Sequence, residues 1–122
     1  MQLIDANVIL RYLLNDSELM SAQAKHAVAD GAYTTFEVMA EVVYVLKGVY
    51  HAERSEISEW LTLFLDDIML ENKPVMLYAL RTYGETSLDF VDCILIAYNR
   101  VLGRQVFSFG RKDSCDDNRY LL

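Results

Sequence analysis

Proline occurs once in these 122 residues, at Pro74, and cysteine and histidine occur twice each. With no Pro-, Gly- or Ser-rich tract and no internal repeat, nothing marks a linker, so one domain spanning residues 1–122 is expected. Cys93 and Cys115 stand in unlike surroundings without a paired spacing or a nearby ligand set, which argues against a disulfide or a zinc site. Cys93 reads as a core residue. A long apolar run is missing too: nothing approaches the roughly 20 residues that span a bilayer. The N-terminus has no basic region of the signal-peptide kind, so a cytoplasmic protein with no membrane partner is expected. There is no Gly-rich phosphate loop. His26 and His51 lie in polar settings and read as surface residues.

Basic excess is the last absence. Eleven Lys and Arg face eighteen Asp and Glu, a net charge of −7. That balance argues, on its face, against electrostatic binding of nucleic acid, because phosphate contacts come from basic surfaces. It does not exclude acids gathered in one site, where a divalent cation would offset them.

What the chain does have is apolar residues, 53% of the total, in short runs that alternate in period. Gln2 to Ile4 reads as a buried strand that delivers Asp5 to its C-terminal end, followed by a helix over Asn7 to Leu14 and a turn at Asn15-Asp16-Ser17. A helix from Glu18 to Asp30 stops at Gly31, and Ala32 to Thr34 forms a second strand. Thr34 or Thr35 caps the helix that runs from Phe36 to about Tyr50; with Thr34 as cap, Glu37 completes a capping box. Ser55 caps a helix to about Asp67, Ile68 to Glu71 is a short third strand, and Pro74 suits the first turn of a helix that Gly84 ends. Asp89 to Leu102 is helical, Gly103 stops it, and Gln105 to Phe109 is the last strand. Short strands, each apparently buried, alternating with helices predict an α/β protein with a parallel sheet covered on both faces. In such sheets ligands bind beyond the carboxyl ends of the strands.

Four acids sit in apolar surroundings, and each has two readings. Asp5 caps the first helix or anchors a metal. Glu41 lies off the apolar stripe of Phe36, Met39, Val43 and Leu46, which a solvated face explains as well as a site does. Asp89 is placed to cap its helix, and Asp92 falls in the first turn, where the helix dipole favours carboxylates. In the functional reading, Asp5, Glu41 and Asp92 converge at the sheet edge on Mg²⁺ or Mn²⁺, which prefer oxygen donors. Such a site hydrolyses a phosphodiester with metal-activated water and needs no Ser, Cys or His nucleophile. Periodicity does not choose between the readings.

Four stretches together do. Leu3-Ile-Asp-Ala-Asn-Val-Ile-Leu-Arg-Tyr12, Ala40-Glu-Val-Val-Tyr-Val-Leu46, Phe90-Val-Asp-Cys-Ile-Leu-Ile-Ala97 and Val106-Phe-Ser-Phe109, in that order, resemble the PIN-domain ribonucleases, in particular the VapC-type toxins of toxin–antitoxin pairs. The resemblance covers nearly the whole chain. It implies a PIN-like three-layer sandwich with a short, mostly parallel central sheet flanked by helices. The implied activity is that of a Mg²⁺- or Mn²⁺-dependent endoribonuclease acting on an RNA substrate, inhibited by a cognate antitoxin and assembled as a homodimer. It also implies that Asp5, Glu41 and Asp92 are metal ligands and catalytic, with Asn7 supporting Asp5, and that Thr34 or Thr35 positions a carboxylate or phosphate. Asp89 is then a neighbour of the site or a cap. Where the family's last strand ends in Thr-x-Asp, this chain has Ser108-Phe109-Gly110. The fourth acid is replaced by glycine, with Asp113 the nearest substitute and Asp116 and Asp117 beyond it. The alternative that follows is a catalytically weakened PIN-fold module that binds antitoxin or RNA. For a partner helix, the pattern Trp60, Leu61, Phe64 and Leu65 and the helix bearing Tyr44 offer apolar anchors.

Overall fold

Two strands of two residues each begin the architecture: β1 (Gln2–Leu3) and β2 (Ala32–Tyr33) pair in parallel, with Gln2 opposite Ala32 and Leu3 opposite Tyr33. The computed structural model describes residues 1–107. Around this pair stand α1 (Ala6–Leu14), α2 (Glu18–Ala29), α3 (Phe36–Gly48), α4 (Arg54–Phe64), α5 (Lys73–Glu85) and α6 (Phe90–Leu102). The α/β class with a short parallel sheet is therefore found, although helix dominates. The expected strand over Ile68 to Glu71 is reduced to one parallel bridge between Tyr33 and Met69. It is nevertheless anchored on both sides, by Met69 N–H donating to the Ala32 carbonyl at 3.1 Å and Thr34 N–H donating to that of Met69 at 3.0 Å.

Three further expectations are corrected. The strands are not wholly buried: Leu3 is 53% and Tyr33 38% exposed, while Ile4 and Ala32 supply the buried positions. In β2 alternation of faces explains this, since successive side chains on a strand point opposite ways; in β1 both Gln2 and Leu3 are exposed. Among the described residues, Gln105 to Phe107 form no strand, and Ser108 and Phe109 lie outside the described residues. Gly84 does not end α5, which continues to Glu85. A Cβ at Gly84 would stand 2.8 Å from Ser58 Cβ, so the glycine is where α4 and α5 come closest.

The helix starts are set locally. Asp5 Oδ1 accepts from Val8 N–H at 3.0 Å, and Thr35 Oγ1 accepts from Val38 N–H at 3.3 Å, so Thr35 rather than Thr34 caps α3. No capping box forms on Thr34, whose backbone is still held in the ladder to Met69. Helix α4 starts two residues earlier than the Ser55 cap predicts: Glu53 is the cap residue, and its N–H donates to Glu56 Oε1 at 3.0 Å. The stop at Gly103 is as expected, because φ of +70° there favours glycine. Lys73 ties the α4–α5 connection by donating to the Ile68 carbonyl at 2.7 Å.

The core runs through all the longer helices. Ile9, Met39, Val42, Val43, Leu46, Ile57, Leu61, Met76, Leu80, Phe90 and Cys93 are all inaccessible to solvent. Among the described residues no helix is long and apolar enough to cross a membrane.

Candidate active site at the strand ends

Asp5 stands immediately beyond β1, in extended backbone (φ −93°, ψ 179°), exposed, with one carboxylate oxygen committed to the cap of α1. The capping reading of Asp5 is thus correct as far as it goes. It occupies Oδ1 and leaves Oδ2 without a partner among the described residues. Asn7 is exposed in the first turn of α1. Next to Asp5, Thr34 is buried and its Oγ1 donates to the Ile4 carbonyl at 3.5 Å, which locks the two strand ends together. Thr35 is occupied as the cap of α3.

Glu41 is exposed on α3, off the buried stripe of Met39, Val42, Val43 and Leu46, as the helical wheel requires. Three residues on, and so on the same face, Tyr44 donates its hydroxyl to Asp89 Oδ2 at 3.4 Å. This contact turns the Glu41 face of α3 toward the start of α6. Asp89 holds the N-cap position of α6, yet its side chain makes no capping bond and takes the tyrosine instead. Partial burial, then the Asp89 carboxylate, push the Tyr44 phenol above its usual range. Asp92 is half-buried in the first turn of α6. Both α1 and α6 pack against α3, so the three acids come from neighbouring elements.

The donor chemistry fits a hard divalent cation, since all three candidates are carboxylates. Their arrangement is looser: among the described residues, no three Asp, Glu, His or Cys side chains are close enough to hold a metal ion. Asp113, Gly110, Asp116 and Asp117 lie outside the described residues.

Among the described residues, neither the histidines nor the cysteine is placed as a nucleophile or base that would compete with a hydrolytic role for these acids. His26 and His51 are exposed, the former 3.5 Å from Asp30. Cys93 is buried beside the Leu88 carbonyl, and burial pushes its thiol up to about 12, against the opposing pull of Arg54. In a Cys115→Ser background, Cys93 will therefore resist thiol reagents at pH 8 in the native state and react only on unfolding. The same shift makes stability fall with pH. Below the ordinary thiol range both states hold the proton. Between about 9 and 12 the unfolded chain releases it while the folded chain keeps it, so unfolding becomes progressively easier. Denaturant melts at pH 8 and pH 10.5 check the sign.

Two contributions to this region were not legible beforehand. Tyr44 carries a weak signal, its spacing of three from Glu41. Arg54 carries none, sitting in a polar run and acting on distant backbone.

On the far side of α1 an open groove of about 510 Å³ is lined by Tyr12, Leu13, Leu14, Trp60, Leu63 and Phe64, with Asp67 at its polar end. Tyr12 lies edge-on to Phe64 at 5.3 Å and donates its hydroxyl to Asp67 at 2.9 Å. Of the expected anchors, Leu61, Phe64 and Leu65 are buried in the core, although Phe64 also lines the groove; Trp60 is half-buried there.

The model of the PIN domain family matches residues 3–112, and the chain belongs to that family. Members of this family that are nucleases generally use divalent metal ions. Over 120 residues the chain is 28% identical to a VapC ribonuclease of Aquifex aeolicus (strain VF5), covering 92% of this chain and 89% of that protein. No solved structure matches significantly.

Proposed function

We propose that this protein is a VapC-like endoribonuclease that hydrolyses RNA phosphodiester bonds, with Asp5, Glu41 and Asp92 holding Mg²⁺ or Mn²⁺. The observation that carries the reading is the position of Asp5. Its carboxylate stands at the carboxyl end of a parallel strand with one oxygen unused among the described residues, and α3 beside it turns the Glu41 face toward α6. When bound, the cation polarises the scissile phosphate and eases deprotonation of water, which this chain's histidines are not placed to do. The cap bond engages one oxygen of Asp5, and among the described residues the other has no partner. Glu41 and Asp92 bring the remaining negative charge. Tyr44, a hydroxyl already on this face, is available to an RNA phosphate or sugar oxygen once it leaves Asp89. The acidic surface is then consistent with an RNA substrate, because the cation brings the charge that phosphate requires.

The groove between α1 and α4 is the surface we assign to a cognate antitoxin helix, with the half-buried Trp60 and the exposed Leu63 as apolar contacts. Homodimer formation and a cytoplasmic setting belong to the same reading.

The purified protein incubated with single-stranded RNA in Mn²⁺ or Mg²⁺ is expected to produce discrete cuts that a chelator stops. No cleavage with any divalent cation sinks the proposal. One feature favours a second reading, a PIN-fold module with weakened catalysis: glycine stands at position 110, and no three-donor set forms among the described residues. Calorimetry that finds no Mn²⁺ binding, together with tight binding of the antitoxin, would select it.

A further inference from the structure

Helix α4 begins with Arg54, whose side chain leaves its own helix and acts on the connection between α5 and α6. Its Nε donates to the Tyr83 carbonyl at 3.0 Å, and Nη2 donates to the carbonyl of Leu88. The guanidinium carbon lies 3.7 Å from the centroid of the Tyr83 ring. Tyr83 is in the last turn of α5, where carbonyls lack helical partners, and Leu88 immediately precedes Asp89. One planar cation therefore ties the end of α5 to the residue before α6.

The segment it spans is also held by the buried Leu88 side chain, by the Cys93 thiol against the Leu88 carbonyl at 3.9 Å and by one hydroxyl. Thr86 Oγ1 donates to the Thr82 carbonyl at 2.8 Å and accepts from Leu88 N–H at 3.3 Å. Close approach of α4 to α5 at Gly84 puts Arg54 within reach, since a side chain there would meet Ser58. The geometry needs arginine in particular. A fixed fork can serve two carbonyls and stack on a ring at once, whereas an ammonium offers a point charge without a plane.

From this geometry we propose that Arg54 is a positioning residue for the proposed nuclease reaction: by fixing the Leu88 carbonyl it sets the turn from Asp89 to Asp92 against Tyr44 and the Glu41 face of α3. The inference rests on the ribonuclease reading for its consequence and on the contacts above for its mechanism. Arg54 itself touches no reacting group. Its effect passes through the backbone of residues 88–92, so substrate affinity is spared and turnover is not.

The test compares the full-length wild type with Arg54→Lys, which keeps the charge and loses the fork, and with Ile57→Val, a buried change on the same helix. Two quantities are read below the melting temperature: amide hydrogen exchange over residues 90–93, and kcat and KM for RNA cleavage in Mn²⁺. For Arg54→Lys the expected results are exchange faster by about tenfold and kcat lower by about tenfold, the lower end for loss of a group supporting a metal site, with KM little changed. Ile57→Val should leave both near wild type. Equal behaviour of the two variants overturns the proposal, as does faster exchange with unchanged kcat. A wild type that does not cut RNA defeats the functional reading; exchange then decides the clamp alone, and unchanged exchange removes it. Should Arg54→Lys fail to fold, Gly84→Ala replaces it. That change favours the helix but pushes α4 away from α5, and it should raise exchange over the same residues; no rise overturns the clamp.

Discussion

Asp5→Asn is expected to leave the protein folded and to remove RNA cleavage. The two roles of Asp5 separate in this substitution. As a cap, asparagine is about as good as aspartate, because its amide oxygen can accept the Val8 N–H that Oδ1 accepts now. As a metal donor it is poor, because the amide has no charge and only one oxygen. Stability should thus change by a few tenths of a kcal/mol at most, within the roughly ±0.5 kcal/mol of ordinary surface substitutions. Cleavage should fall by more than the roughly 10–100-fold that loss of a supporting partner costs a metal site. Asp5→Ala provides the contrast: it loses the same activity and also about 1 kcal/mol of stability, since alanine cannot cap. Gel assays of RNA cleavage and denaturant melts of the three proteins distinguish the outcomes. An Asp5→Asn protein that cuts RNA at the wild-type rate would show the residue to be a cap and nothing more.

That separation also explains what could be read from the chain alone. Helix starts were legible to within a residue or two because they are local events, a side-chain oxygen and an N–H three positions apart, as at Asp5 and Thr35. Glu41 was placed on an exposed face by period alone, and the fold class followed from alternation of short apolar runs with helices. What escaped is what depends on distant partners. The segment around Met69 looks like a strand, but its extent is limited by β2, which offers it a single bridge. Gly84 reads as a stop until Ser58, on another helix, is seen against it. Arg54 acts on carbonyls 29 and 34 residues away, and no spacing rule connects them. Asp89 reads as a cap or a neighbour of the site; it holds the N-cap position, but its side chain receives Tyr44 from α3 rather than a helix N–H, a tertiary contact that no local rule supplies.

Phe90→Ala should be the most damaging single change to stability in the acid-bearing turn. Phe90 opens α6 between Asp89 and Asp92 and is wholly buried, its ring edge-on to Tyr83 at 5.5 Å and 88°. Truncating a buried phenylalanine costs about 3–5 kcal/mol, from lost transfer energy and the cavity left behind. Against a total stability of roughly 5–15 kcal/mol, that leaves a marginal protein. Phe90→Leu, nearer in volume, should cost far less, about 1.5 kcal/mol or below if the site repacks. The consequence reaches the chemistry because the ring anchors the turn that presents Asp92. Tyr83 touches two supports of that turn, the near-perpendicular Phe90 ring and the Arg54 guanidinium over its face. Removing the ring should loosen the acids even where the chain is still folded. At a temperature where Phe90→Ala is mostly native by circular dichroism, RNA cleavage per folded molecule should therefore remain well below wild type. Activity that merely tracks the folded fraction would mean that Phe90 supports the core and that Asp92 is positioned without it.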